Sequence, residues 1–456
     1  MMWYCPDEMR AKFSKLMSDM YQKEVPLYGD LVQLVSDVNE NVLAHDPQVK
    51  EQLEQTGELP RLSLERHGAI RVGTAYELST IRRVFAVMGM FPVGYYDLAP
   101  AGVPVHSTVF RAIDTDALNR SPFRIFTSLL RHELIDDEAL RQTVSETLAK
   151  RQIFTKRALE LTEKAEKQGG LNEADADEFV REVLETFRWH EESPISKDLY
   201  EQLHHQHRLI ADIVGFKGPH INHLTPRTLD IDSVQSGMIE RGITPKEVVE
   251  GPPLRACPIL LRQTSFKALE ENVVFTDGGR EAGKHTARFG EIEQRGVAVT
   301  KKGRALYDRL LNETRAAIGG APNEANRDEY MRILAEKFSV YPDTWDELRK
   351  QDLAYFHYFA QGRSDKKVTR EDLPELIAKG LVRFEPIVYE DFLPVSAAGI
   401  FQSNLGKNGQ KQYDIDSNKT LFEECLGAKV TDELSLYEKA QNESIEACLA
   451  VLNGEK

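Results

Sequence analysis

Two histidine and arginine pairs with the same spacing are the residues of this sequence best placed to do chemistry. His67 stands four positions before Arg71 in RHGAIRV, and His223 stands four positions before Arg227 in NHLTPRT. Positions i and i+4 of a β-strand face the same side, so each pair could present an imidazole and a guanidinium to one pocket. The same spacing at the start of two similar regions indicates a duplicated module.

A pair of glutamates supplies the carboxylate that such histidines would need to bind a metal. Glu291 and Glu293 alternate with apolar or small neighbours in RFGEIEQRGVAVT, which is typical of a strand with both glutamates on one face. Two histidines and one carboxylate form the facial triad of non-haem Fe(II) oxygenases, which leaves positions open for substrate and oxygen. Zinc accepts the same ligands but more often adopts a tetrahedral arrangement. From the residues alone either glutamate could be the ligand, and Glu293 could instead pair with Arg295.

Other polar residues near His223 are weaker candidates for metal binding. His220 lies three positions earlier and should point the opposite way on a strand, so we expect it to support the site or the fold rather than bind metal. Asp230 and Asp232 would lie roughly 20 to 30 Å from His223 along an extended chain, too far to share its metal unless the chain turns back at Pro226. A polar helical stretch is expected to place three more histidines on a solvated surface: His204, His205 and His207.

Hydrophobic periodicity indicates the elements that must position these residues. Apolar side chains recur at the helical period in residues 1–60, whereas residues 61–118 have the pattern of a strand, a helix and further strands. Helical periodicity returns over 119–212, strand character over 213–305, and residues 306–456 are mainly helical. We therefore predict an α+β fold in one compact body, with a central mixed β-sheet built from two related strand–helix–strand modules and with large helical insertions.

Composition narrows the class of protein and its partners. The 456 residues are 41% hydrophobic and 29% charged, without an apolar run of about 18 residues, which indicates a soluble protein with no membrane span. The formal net charge of −15 disfavours nucleic acid and anionic membranes as partners, because the field would repel phosphates. The opening MMWYCPDEMRAKF has no secretory signal pattern, so a cytoplasmic location is expected. Four cysteines without a CxxC pair indicate reduced thiols: Cys5, Cys257, Cys425 and Cys448.

Longer motifs spread over the whole chain resemble one known family. The motifs are ERHGAIRVGT, MGMFPVGYYDL, GVPVHSTVFR, HINHLTPRTLDID, ARFGEIEQRGVA and EDFLPVSAAGIFQSNL, and they are similar to those of the 2-oxoadipate dioxygenase/decarboxylase family. The resemblance implies an Fe(II) cofactor and a central sheet like that of the vicinal oxygen chelate enzymes, surrounded by extra helices. It also implies the reaction: 2-oxoadipate and O2 would become 2-hydroxyglutarate and CO2.

The resemblance assigns roles to individual positions. It implies that His67, His223 and Glu291 bind the metal, and that Arg71 binds a substrate carboxylate. Glu291 also opens a Glu-x-x-Gln-Arg sequence, which resembles the context of the metal-binding glutamate in 4-hydroxyphenylpyruvate dioxygenases. A pocket-lining segment near 388–405 would bring two more residues to the substrate: Val395 and Ser396. Two alternatives stay open, namely a metal-dependent isomerase or lyase of the glyoxalase type and a non-catalytic binder of 2-oxo acids.

Overall fold

Three helices form the N-terminal part of the chain. The computed structural model describes residues 3–246, 248–266, 271–276, 283–285, 290–319, 325–393 and 415–455. The helices are α1 (Pro6–Glu24), α2 (Leu27–His45) and α3 (Pro47–Gln55), and the Asp46 side chain caps α3 by accepting hydrogen bonds from the backbone N–H groups of the first turn. The buried face of α1 packs into a core with apolar side chains at the helical spacing: Met9, Phe13, Met17 and Met20.

A strand–helix–strand module follows and forms most of the main sheet. Its elements are β1 (Arg66–Val72), α4 (Ala75–Val87), β2 (Phe91–Asp97), β3 (Val105–Arg111), α5 (Thr115–Arg120) and β4 (Arg124–Leu130). The first strand lies parallel to the last, and the strands between them are antiparallel. β4 lies beyond the boundary at residue 118 that we predicted for this module. Its sequence RIFTSLL is buried along its whole length, so it lacks the alternation of a half-exposed strand.

Five helices separate this module from the second one. They are α6 (Glu138–Ala149), α7 (Lys156–Gln168), α8 (Glu173–Glu185), α9 (Lys197–Gln206) and α10 (Arg208–Val214). Short polar side chains begin several of these helices, and Asn172 caps α8 by accepting a hydrogen bond from the backbone N–H of Asp175. α10 is buried from Leu209 to Val214, which brings Asp212 into the interior.

The second module repeats the arrangement of the first. It comprises β5 (Leu224–Pro226), α11 (Ile231–Glu240), β6 (Leu261–Phe266), β7 (Glu271–Val273), β8 (Gly283–His285) and β9 (Gly290–Arg295). β5 runs parallel to β9 through a bridge between Arg227 and Glu293, as β1 runs parallel to β4. β5 is also antiparallel to β1 at the edge of the five-stranded sheet, whose order is β2-β3-β4-β1-β5. The prediction of an α+β fold with a mixed sheet and two related modules is confirmed.

The remaining elements follow the second module in the chain. They are α12 (Lys301–Ile318), α13 (Arg327–Phe338), α14 (Trp345–Lys350), β10 (Phe356–Ala360), α15 (Leu373–Ala378), β11 (Val382–Pro386), α16 (Ile415–Leu426) and α17 (Glu433–Leu452). After β11 the chain runs beside β9, where the Tyr389 N–H donates to the Gly296 carbonyl at 2.8 Å. One hydrophobic core extends from Ala69 to Leu452 and so joins the sheet to these C-terminal elements. Over the described residues, the helices lack the combined length and apolarity needed to cross a bilayer.

Candidate metal centre

Three neighbouring strands bring two histidines and one glutamate together. His67 lies on β1, His223 directly precedes β5, and Glu291 lies on β9. The pairing of β1 with β5 sets His67 opposite Thr225, and the contact of β5 with β9 completes the set. Strand pairing between residues far apart in sequence therefore builds the site.

The three side chains form a compact donor set. His67 Nε2 lies 2.9 Å from Glu291 Oε1, and His223 Nε2 lies 3.7 Å from the same oxygen. One ligand atom from each residue lies within 4.8 Å of the other two, and all three residues are fully buried. Glu291 Oε2 is buried and accepts no hydrogen bond from the part of the chain that the structure describes. Because a buried carboxylate oxygen needs a partner, this set fits a metal ion with imidazole and carboxylate ligands.

Two neutral donors hold the Glu291 carboxylate in place. Thr225 Oγ1 and Gln263 Nε2 each donate to Glu291 Oε1 at 3.0 Å. Neither donor neutralises the charge, so the carboxylate keeps its attraction for a cation. Sequence reasoning missed both residues. Thr225 is two positions from His223 in the sequence. Strand pairing decides which way its side chain points and that it contacts Glu291, and the local sequence does not show this pairing.

Aromatic contacts fix the ring of His67. It meets the His223 ring at an angle of 87° with the centroids 5.3 Å apart, and the Phe392 ring at 79° and 4.6 Å. Edge-to-face packing of this kind restricts ring rotation. Both imidazoles are therefore oriented by the packed interior before any ligand binds.

The electrostatic environment differs between the two histidines. Burial lowers the pKa of His223 to about 4, so its imidazole is neutral and able to bind a metal at neutral pH. Burial also acts to lower the pKa of His67, but the carboxylates of Glu293 and Glu291 outweigh it and raise that pKa. A potential that stabilises a proton on His67 also favours a divalent cation at the same place.

Comparison with known proteins assigns the chain to a family. A family model described as 2-oxoadipate dioxygenase/decarboxylase matches residues 13–404. The chain belongs to the 2-oxoadipate dioxygenase/decarboxylase family. A relative of that name from Pseudomonas putida is 60% identical over 98% of this chain and 97% of its own length. One from Escherichia coli is 56% identical over 97% of this chain and 98% of its own length.

A solved structure of a relative agrees over the whole fold. The crystal structure of the hydroxyglutarate synthase in complex with 2-oxoadipate from Pseudomonas putida has a TM-score of 0.93 to this chain. The two are 58% identical, and the match covers 99% of each chain. The fold described above is therefore that of a structurally characterised member of the family.

The arginine that the family resemblance assigns to the substrate is buried and paired. Arg71 Nη1 donates to Asp212 Oδ2 of α10 at 2.6 Å. Asp212 Oδ1 also lies 3.3 Å from His220 Nε2, and the His220 ring is flanked by Trp189 and Phe216. One signal of this role was the position of Asp212 as a lone carboxylate in the apolar run LIADIVGF, because a buried carboxylate needs a partner.

The second arginine of the repeated spacing does not share a pocket with its histidine. Arg227 Nη1 donates to Glu58 Oε2 at 2.8 Å and to Glu65 Oε2 at 3.2 Å. β5 contains only Leu224–Pro226, so His223 and Arg227 flank the strand instead of lying within it. The expectation that both residues face one pocket was wrong because the i to i+4 rule applies only inside a continuous strand.

The remaining candidates have structural contacts of their own. Asp230 caps α11 by accepting from the Ser233 N–H at 3.0 Å, and Asp232 pairs with Arg262 at 2.6 Å. His204 and His205 are exposed on α9, whereas His207 caps α10. Two predicted substrate-binding residues lie outside the described residues: Val395 and Ser396.

Proposed function

We propose that this chain is an Fe(II)-dependent dioxygenase that converts 2-oxoadipate and O2 into 2-hydroxyglutarate and CO2. The observation that carries the proposal is the buried set of His67, His223 and Glu291 in a member of this family. The 2-oxoadipate bound to a solved relative supports the choice of substrate.

Different residues of the chain would bind the iron ion and the substrate. His67, His223 and Glu291 would bind iron from one side, with Thr225 and Gln263 keeping the carboxylate in place. Fe(II), when bound, supplies open positions at which a 2-oxo acid and dioxygen can react. Complete burial of the three side chains keeps bulk water away from that reaction.

Arg71 would orient the substrate through a charged contact. Its guanidinium, fixed by Asp212, would bind a substrate carboxylate, most favourably the one remote from the 2-oxo group. A close contact of this kind outweighs the repulsion of a net charge of −15, which salt screens over about 8 to 10 Å. Main-chain and side-chain groups of Val395 and Ser396 are proposed as further substrate contacts on the basis of the family resemblance.

The proposed reaction is balanced without a second oxo acid. C1 of 2-oxoadipate leaves as CO2, the keto carbon C2 becomes a carboxylate, and C3 gains a hydroxyl group. Each of the last two changes takes one oxygen atom of O2. The substrate therefore supplies both the group that is decarboxylated and the carbon that is hydroxylated.

Oxygen uptake with product identification tests the proposal. Protein loaded anaerobically with Fe(II) should consume one O2 per CO2 and per 2-hydroxyglutarate formed from 2-oxoadipate, and Zn(II) should not replace the iron. His223→Ala should lose the activity and bind iron at least about 100-fold more weakly. His106→Ala, which alters a buried histidine of β3, should keep both.

Two results would contradict the proposal. Turnover of 2-oxoadipate without O2 uptake would indicate an isomerase or lyase of the glyoxalase type. Saturable binding of 2-oxoadipate by iron-loaded protein without turnover in air would indicate a non-catalytic binder.

A further inference from the structure

Glu293 lies next to the candidate ligands but on the other side of the His67 ring. Glu291 and Glu293 are two positions apart on β9, so their side chains leave the same face of the strand. The ring of His67 lies between them: its Nε2 is 2.9 Å from Glu291 Oε1 and its Nδ1 is 3.0 Å from Glu293 Oε2. The two ring nitrogens therefore face two different carboxylates.

Arg295 holds the Glu293 carboxylate from behind. Arg295 Nε and Nη2 donate to its two oxygens at 2.7 and 2.9 Å, which is a bidentate pair. Arg295 Nη1 donates to the carbonyl oxygens of Tyr389 and Asp391 at 2.7 and 3.0 Å, and its guanidinium lies 5.1 Å from the Phe392 ring centroid. Glu293 and Arg295 are both buried, so this geometry is tightly constrained.

The two glutamates thus differ in the charge that surrounds them. The side-chain donors to Glu291 from Thr225 and Gln263 are neutral, whereas Arg295 neutralises Glu293. A cation is attracted more strongly to the carboxylate that is not already paired with a guanidinium. Glu291 is therefore suited to bind the metal, and Glu293 is suited to accept a hydrogen bond.

We propose that Glu293, fixed by Arg295, is a positioning residue that accepts a hydrogen bond from the Nδ1–H of His67 in the metal-bound protein and so directs the Nε2 of His67 toward the metal. The inference rests on the metal site of the proposed function and deepens it. A carboxylate behind a ligating histidine sets the tautomer and orientation of the ring and raises its basicity as a ligand. Glu293 would act on metal binding through His67, without touching metal or substrate.

Metal affinity of a matched pair of variants tests this role. Glu293→Gln removes the charge at nearly constant shape, and Glu58→Gln makes the same change at another buried glutamate that is paired with Arg227. Affinity for Co(II) is measured by competition with a chelator, without substrate and without oxygen. Glu293→Gln should bind about 10 to 100 times more weakly than the unaltered protein, whereas Glu58→Gln should stay within about twofold of it.

Melting temperatures and visible spectra distinguish a positioning role of Glu293 from a general loss of protein stability. The melting temperature of the metal-free variants reports the lost ion pairs, and the visible absorption bands of bound Co(II) report the ligand geometry. The spectrum should change for Glu293→Gln and stay unchanged for Glu58→Gln, even if both melting temperatures fall equally. Unaltered affinity and spectrum in Glu293→Gln would overturn the proposal, as would an equal loss of affinity in both variants.

A shorter carboxylate provides the second test if Glu293→Gln does not fold. Glu293→Asp keeps the charge and withdraws the carboxylate by about 1.5 Å, the length of one carbon–carbon bond. It should bind Co(II) more weakly than the unaltered protein with a shifted spectrum, and unaltered affinity would overturn the proposal. Because substrate and oxygen are absent throughout, failure of the oxygenase reaction and failure of this role give different results.

Discussion

At the scale of single residues, Arg71 is best understood together with Asp212. The carboxylate of Asp212 lies 2.6 Å from Arg71 Nη1 and also contacts His220, so one acid orients two basic side chains. The planar guanidinium presents several N–H groups in a fixed fork and can serve more than one carboxylate. The pairing with Asp212 therefore lowers the cost of keeping Arg71 buried while leaving it suited to recognise an anion.

Removal of the Arg71 guanidinium should lower activity on diacid substrates much more than activity on monoacid substrates. Loss of one buried partner of a charged contact costs about 2 to 5 kcal/mol. Arg71→Ala should therefore lower kcat/KM for 2-oxoadipate by about 100-fold or more, mainly through KM, and should affect 2-oxohexanoate much less. Arg66→Ala, at the start of the same strand, is the control and should leave both substrates unchanged. Equal losses for diacid and monoacid would contradict the role of Arg71.

The sequence supported the prediction of candidate ligands but not of the residues that support them. Period-two alternation predicted that Glu291 and Glu293 share a face, and both do contact His67. The residues alone could not distinguish their roles, because the difference lies in the neutral donors around one and in Arg295 beside the other. Gln263 reaches Glu291 only through the pairing of β6 with β9, and this register is not encoded locally.

At the scale of elements, the packing of β9 determines where Glu291 lies in the metal site. This strand begins at Gly290 and is followed by Gly296, and both glycines are closely packed at the position where a side chain would begin. A Cβ atom on Gly290 would lie 1.7 Å from the Phe266 ring, and one on Gly296 would lie 2.2 Å from the carbonyl carbon of Pro258. The strand carrying Glu291 therefore packs tightly at both ends.

Gly296→Ala should disturb both stability and metal binding. The new methyl group would meet the backbone of Pro258, which cannot rotate away as a side chain can, so β9 must shift. We expect a loss of about 1 to 3 kcal/mol in the free energy of unfolding, measured by denaturant titration, and weaker Co(II) binding. Gly362→Ala is the control, because its Cβ would meet only the Leu381 side chain at 3.8 Å. Unaltered stability of Gly296→Ala would show that the loop at Pro258 yields.

Element types were easier to predict than their boundaries and pairings. Helical periodicity and capping residues such as Asn172 act within one turn, so the sequence specifies them locally. β4 was placed in the helical region because a strand buried on both faces has no alternation. The three-residue length of β5, which separates Arg227 from the pocket of His223, follows from long-range pairing that no local pattern reveals.

At the scale of the whole molecule, a buried ion-pair network connects distant parts of the chain to the metal site. Glu65 lies at its centre, and although burial acts to raise the pKa of Glu65, surrounding guanidinium groups hold it well below its ordinary value. The guanidinium groups around Glu65 come from both modules and from the segment before them: Arg61, Arg124, Arg227 and Arg295. Arg61 and Arg124 also pair with Glu390, so the network reaches the segment that carries Phe392 onto His67.

This network should make stability depend on acid pH through Glu390. Burial acts to raise the pKa of Glu390, but Arg61 and Arg124 lower it from 4.5 to about 2. A carboxyl group whose pKa is lower in the folded state contributes stability that is complete above about pH 4.5 and is lost as the pH falls toward 2.

Replacement of Glu390 by glutamine should therefore cost most at neutral pH. Glu390→Gln should lower the free energy of unfolding by about 3 to 5 kcal/mol at pH 7, because it leaves buried guanidinium groups without their partner. The difference from the unaltered protein should narrow as the pH falls from about 4.5 toward 2, because the Glu390 carboxyl group of the unfolded chain takes up a proton over this range while that of the folded protein stays charged. Denaturant titrations at a series of pH values measure this difference in the free energy of unfolding, and the exposed variant Glu446→Gln is the control. A difference that stays constant down to the lowest pH at which the protein folds would show that the pair with Arg61 and Arg124 does not control the titration of Glu390.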